Sequence, residues 1–195
     1  MPAAASSAIP PWLTLQELRR LTGFDKRSVV GVLRSFSEHH DLAGCWRLDK
    51  LSFDRTLTAI VSRQYIFLAA KGTKRLKAVL RFLFTLFDTG NNGFVTRAEA
   101  LGGLTVLCRK QDSADALFLV HDSDRDGYVE CADIEAHLAA ALRMLFQLDE
   151  SIESELGCGH VTETVRRLVK QAFKARDRVN RAEFKVLFLL FTSIM

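Results

Sequence analysis

The fold is decided by residues 122–133, which read Asp122-Ser123-Asp124-Arg125-Asp126-Gly127-Tyr128-Val129-Glu130-Cys131-Ala132-Asp133. A companion starts 34 positions earlier: Asp88-Thr89-Gly90-Asn91-Asn92-Gly93-Phe94-Val95-Thr96-Arg97-Ala98-Glu99. Both stretches are twelve residues long, with an acid first and last, Gly sixth and Val eighth. Both follow a helical pattern with Phe four residues before the loop, Phe84 and Phe118. Oxygens at alternating positions of a short loop suit a hard cation, which takes roughly six to eight oxygen ligands. Gly at the sixth position permits the positive φ of a sharp turn. The apolar eighth residue lets two such loops join as a short antiparallel ribbon.

The pattern D-x-[DN]-x-[DN]-G-x₅-E is that of the EF-hand, so the chain resembles the calmodulin superfamily. That resemblance implies an all-α protein of helix–loop–helix pairs in two lobes, with minimal two-residue β ribbons between paired loops. In the stronger loop the implied ligands are Asp122, Asp124, Asp126, the Tyr128 carbonyl, Glu130 and Asp133. Asp133 stands where Glu is usual, and its side chain is one methylene shorter. This favours Mg²⁺, or weak Ca²⁺ binding, over a tight calcium site. In the weaker loop Asp88, Asn92, Phe94, Thr96 and Glu99 remain, but Gly90 removes the oxygen of the third position. One ion, Ca²⁺ or Mg²⁺, is therefore expected, and the loop of residues 88–99 is read as weak or vestigial.

Outward from these loops, two degenerate copies complete the pattern. Residues 41–52 have Leu48 at the eighth position, but Trp46 replaces Gly and Ser52 replaces the final acid. Around residues 172–183, Arg178-Val179-Asn180-Arg181-Ala182-Glu183 matches Phe94 to Glu99, while the upstream half lacks the acids of the first, third and fifth positions and has Asp177 where Gly belongs. Four hands in two pairs then give a tail over 1–11, an N-terminal lobe over 12–110 and a C-terminal lobe over 111–195. One hand cannot bury its own apolar face, hence the pairing. Apolar periodicity predicts further helices near 15–22 and from Asp25, as N-cap, to His40, with others over 52–63, 73–87, 96–109, 113–121, 132–148, 162–176 and 181–193. No Pro occurs after Pro11, which suits a helical body.

Charge is segregated along the 195 residues. The net is +8 over 1–87, −9 over 88–159 and +5 over 160–195, giving +4 overall. The acidic middle holds the two loops, and the basic flanks hold the two copies that have lost most of the pattern's acids. Four Cys (Cys45, Cys108, Cys131, Cys158) form no CxxC pair and read as reduced thiols, with Cys131 expected to be exposed. No secretory leader and no membrane-length apolar run is read from the sequence; the longest run is Val186 to Phe191. The five His lack any metal or nucleophile motif. These features predict a cytoplasmic protein.

Unequal spacing and silent outer copies make the chain resemble the calaxin, calcineurin-B and neuronal calcium sensor group. The local likeness to calaxin-type proteins lies in Leu48 to Leu57 and in Leu86-Phe87-Asp88, Gly93, Leu104 to Leu107, Asp122 and Gly127. The resemblance implies a non-catalytic adaptor or sensor that clasps a protein partner, either an amphipathic helix or a cytoskeletal complex of the ciliary axoneme. Alternatives are a calcineurin-B-like regulatory subunit and a metal-independent, myosin-light-chain-like subunit. The basic clusters Lys71 to Lys77 and Arg166 to Arg178 read first as solvated helix faces; nucleic acid, acidic lipid or an acidic tubulin surface are the contacts they could make, and no aromatic interleaving of a nucleic-acid pattern accompanies them. Most of Phe82, Phe84, Phe87, Phe184, Phe188 and Phe191 are expected in the core, the alternative being a groove that clasps a partner helix, and scarce Met favours one dedicated partner.

Overall fold

The computed structural model describes residues 13–39, 46–62, 70–109, 112–149, 161–174 and 176–192. Over these residues the chain is mostly helical, with two small antiparallel strand pairs. Helix α1 (Leu15–Thr22) is capped by the Thr14 hydroxyl, which accepts the Glu17 N–H at 3.2 Å, and ends at Gly23 with φ 71°. A 3₁₀ turn (Phe24–Lys26) leads to α2 (Val29–His39). Asp25 therefore does not cap the second helix as expected. It lies within the turn, and Ser28 accepts the Gly31 N–H at 3.2 Å instead.

Strand β1 (Arg47–Asp49) runs straight into α3 (Lys50–Val61), and α4 (Ala70–Phe87) follows. Strand β2 (Phe94–Thr96) runs into α5 (Arg97–Leu107), then α6 (Ala114–His121). Strand β3 (Tyr128–Glu130) enters α7 (Cys131–Leu148), α8 spans Val161–Ala172, and β4 (Arg178–Asn180) enters α9 (Arg181–Thr192). β1 pairs with β2 and β3 with β4, so Leu48 faces Val95 and Val129 faces Val179, all four buried. Each strand has three residues rather than two, and its apolar centre is what period-two alternation buries. The tail 1–11, the first half of the copy at 41–52, Cys45, Cys158 and the side chain of Phe191 lie outside the described residues.

Aromatic rings form the core behind the first ribbon: Phe53 lies 5.9, 5.7 and 5.1 Å from the ring centres of Phe36, Phe84 and Phe87. Behind the second, Phe118 and Phe184 meet edge-on at 5.6 Å. Phe82 and Phe188 are half-buried. Helices α5 and α7 approach closely because Gly102 has no side chain: a Cβ there would lie 2.6 Å from the Ala141 nitrogen and 2.8 Å from the Ala140 Cβ. Arg19 closes the end of α5, donating from Nε (3.1 Å) and Nη2 (2.6 Å) to the Val106 carbonyl, one of the acceptors a helix end leaves open. No helix among the described residues is long and apolar enough to cross a membrane.

Candidate metal centre

The loop of residues 122–133 begins where α6 ends, with the Asp122 N–H donating to the Phe118 carbonyl at 2.8 Å. Its turn uses positive φ at Arg125 (61°) and Gly127 (85°). The loop of residues 88–99 repeats this at Asn91 (51°) and Gly93 (81°), the same fourth and sixth positions. Nothing lies within 4 Å of a Cβ built on either Gly93 or Gly127, so it is backbone conformation and not space that requires glycine there.

This turn gathers three carboxylates. One oxygen each from Asp122, Asp124 and Asp126 lies within 4.8 Å of the others. Asp124 and Asp126 are exposed, while Asp122 is 5% exposed. Asp122 Oδ2 accepts the Gly127 N–H at 3.2 Å, and Asp122 Oδ1 is buried without a hydrogen-bond partner. A buried carboxylate oxygen without a donor is costly, and a cation among the three Asp would supply what it lacks.

Asp126 is engaged from outside the cluster, and two further predicted ligands of this loop lie elsewhere. Asp126 Oδ1 accepts the Tyr128 N–H at 2.9 Å, and Asp126 Oδ2 is bonded to Arg178 from β4. The Arg178 guanidinium and the Tyr128 N–H hold the Asp126 carboxyl below the usual carboxylate range. Glu130 pairs with Arg178 Nε at 3.2 Å. Asp133 is exposed and lines a cavity of about 80 Å³ with Arg97, Ala98, Leu101 and His121. Of the carboxylates predicted in sequence, Asp122, Asp124 and Asp126 come together; Glu130 and Asp133 stand apart from them.

The earlier loop is closed by its own hydrogen bonds. Glu99, 7% exposed, accepts from the Gly90 N–H (2.8 Å) and the Thr89 hydroxyl (3.2 Å) through Oε1. Through Oε2 it accepts from the Thr96 N–H (2.9 Å) and hydroxyl (2.7 Å), completing a capping box at the start of α5. Asp88 accepts from the Asn92 N–H (3.0 Å) and the Gly93 N–H (2.9 Å). Asn92 Oδ1 accepts the Phe94 N–H at 3.0 Å. A Cβ on Gly90 would stand 3.2 Å from Glu99 Oε1, so Glu99 takes up the space a third-position side chain would use.

Sequence reading passed over the groups behind the loop of residues 122–133. His121 Nε2 lies 3.1 Å from His137 Nδ1, and His137 Nε2 lies 2.9 Å from the Thr105 hydroxyl. Burial, with Arg97 nearby, pushes His121 down to about 4, and burial, with His121, pushes His137 down to about 3. Both rings are therefore neutral at pH 7. The available signal was the 34-residue repeat, which sets His121 and His137 over Phe87 and Gly103. Cys131, expected to be exposed, is buried at the start of α7, and burial with Glu135 nearby raises its thiol pKa.

No protein-family model matches the chain. Curated relatives do: it is 38% identical over 65 residues to lysophosphatidylcholine acyltransferase 2B of Rattus norvegicus, covering 32% of this chain and 13% of that protein. It is 36% identical over 67 residues to lysophosphatidylcholine acyltransferase 2 of Homo sapiens, covering 33% and 12%. The mouse protein of the same name gives 37% over 67 residues. The chain thus spans about an eighth of the length of the relatives it matches. These relatives overturn the expectation of a non-catalytic adaptor or sensor, because each is an acyltransferase. The axonemal, calcineurin-B-like and myosin-light-chain-like roles go with that expectation, since resemblance of a loop pattern says nothing of the chemistry of the protein that carries it.

The donor set fits a hard divalent cation: three carboxylates, no sulfur and no imidazole among the converging atoms. Asp122, Asp124 and Asp126 would hold it. Tyr128 lies in β3 immediately after them, with its ring exposed.

Proposed function

We propose that this chain is a divalent-cation-binding, EF-hand-type part of an acyltransferase-like protein that acts on a lysophospholipid, with Asp122, Asp124 and Asp126 as its cation ligands. The observation that carries the cation half is the buried, unpartnered Oδ1 of Asp122, one of three carboxylates that converge within 4.8 Å. A buried polar atom without a partner marks either strain or a missing ligand, and here its neighbours share its charge. The acyl-transfer half is supported by the lysophosphatidylcholine acyltransferases among its relatives. The ion is Ca²⁺ or Mg²⁺, both of which take oxygen ligands.

Two arms test the reading. Calorimetric titration of Ca²⁺ and of Mg²⁺ into the chain and into Asp122→Asn is expected to give heat with the native sequence and none with the variant. Heat that survives Asp122→Asn, or no heat from either protein, sinks the cation half. In the second arm, transfer of a labelled acyl group from an acyl thioester to lysophosphatidylcholine by the protein that carries this chain is followed with Ca²⁺, with Mg²⁺ and with chelator. Labelled phosphatidylcholine that varies with the ion is expected; no product under any condition sinks the acyl-transfer half.

A further inference from the structure

The two ribbons each deliver an arginine to the same place. Arg47 stands opposite Thr96 in the first ribbon, and Arg178 stands opposite Glu130 in the second. Each guanidinium lies over the aromatic ring of the loop's seventh residue, Arg47 over Phe94 at 4.4 Å and Arg178 over Tyr128 at 5.3 Å. The strand register therefore sets the arginine, and the loop sets what it meets. In the first loop the fifth and ninth positions are Asn92 and Thr96. In the second they are Asp126 and Glu130, and Arg178 bonds to Asp126 Oδ2 and lies 3.2 Å from Glu130 Oε1.

Asp126 is consequently engaged at both oxygens, by Arg178 at Oδ2 and by the Tyr128 N–H at Oδ1, while the Asp122 Oδ1 beside it has no donor. We propose that Arg178 is the resident counter-cation of this loop and sets its affinity for a divalent cation, so that loading exchanges the guanidinium for the metal on Asp126. This rests on the cation-site reading above. The guanidinium carries one charge and a fixed fork of donors, which it divides between the two exposed acids Asp126 and Glu130, leaving one negative charge of the pair unbalanced. A divalent ion gains Asp122 and displaces Arg178, and the loss of that pair weakens binding.

The test is calorimetric titration of Ca²⁺ and Mg²⁺ at constant ionic strength into the full chain, Arg178→Gln, Arg178→Lys and the double variant Arg178→Gln/Asp122→Asn. Arg178→Gln is expected to bind about threefold to tenfold more tightly, the range an exposed charge pair supports. Arg178→Lys should fall between, since it keeps the charge and loses the fork. The double variant should give no heat. Equal or weaker binding by Arg178→Gln overturns the role of Arg178 while the silence of the double variant leaves the cation site standing. Heat from the double variant, or silence from every protein, overturns the site and this inference together. Should Arg178→Gln fail to fold, the Arg178 Nε–H resonance of the native chain decides: it must shift as ion is added, and a resonance unmoved at saturation overturns the exchange.

Discussion

In the loop of residues 88–99 the last carboxylate turns inward and is taken up by four hydrogen bonds from the loop itself; in the loop of residues 122–133 the first carboxylate keeps a bare, buried oxygen. The two share length, turn and the positions of positive φ. They differ at the third position, Gly90 against Asp124, and at the twelfth, Glu99 against Asp133. Gly90 offers a free N–H and no side chain, and Glu99 is long enough to reach it. Asp124 adds a third carboxylate to the other loop, and Asp133 stays outside beside Arg97 and His121. One loop satisfies its carboxylate with its own N–H and hydroxyl donors, whereas the other leaves the buried Asp122 Oδ1 without a donor. The divergence continues behind the loops, where the Phe87 ring lies against Gly103, a Cβ on which would come within 2.5 Å of it. The equivalent positions hold the stacked pair His121 and His137, 5.2 Å apart.

Removing the inward carboxylate should have the largest effect. Glu99→Ala strips the acceptor from four donors, two of them backbone N–H groups, and is expected to cost roughly 3 kcal/mol of stability. Urea unfolding followed by helical circular dichroism measures it, and a loss below about 1 kcal/mol would break the claim that Glu99 closes its loop.

A second test concerns the histidines that only the later unit carries. Burial lowers His137 to about 3, against about 6.5 in an unfolded chain. The folded pKa is the lower one, so between these values the unfolded state binds the extra proton. The stability is fully present above pH 6.5 and drains away as the pH falls. Lowering the pH from about 6.5 to 5 should remove about 2 kcal/mol through His137 alone. His137→Gln should flatten the stability profile in that window; an unchanged slope would mean that the pair does not set acid sensitivity.

The smallest effect sharpens the contrast of arm lengths. Asp133→Glu gives the later loop the side chain with which Glu99 spans the earlier one. Ca²⁺ binding should tighten about tenfold, worth about 1.4 kcal/mol, in the same titration. Unchanged affinity would show that arm length is not what separates the loops.

Much of this was legible in the residues. Helical periodicity located most helices, and the apolar eighth position of each loop marked Val95 and Val129, the buried strand centres. Alternating acids marked Asp122, Asp124 and Asp126. Asp25 was misread because an acid ahead of an apolar run looks like a cap, and only backbone geometry separates a 3₁₀ turn from a helix start. Cys131 was misread because a tenth-position residue sits in a polar neighbourhood of sequence, yet α7 begins there and turns the thiol inward. Function was misread because a loop pattern carries ion chemistry and leaves the reaction of its host protein open.

Sequence alone determined what local rules govern: helices from period, turns from Gly93 and Gly127, acids from spacing. Tertiary structure decided the fate of each charge. Strand register brought Arg178 across 52 positions onto Asp126, and packing of α5 on α7 through Gly102 brought Thr105 to His137. Whether an acid is satisfied depends on which donors the fold brings within about 3 Å, and spacing along a chain does not contain that distance.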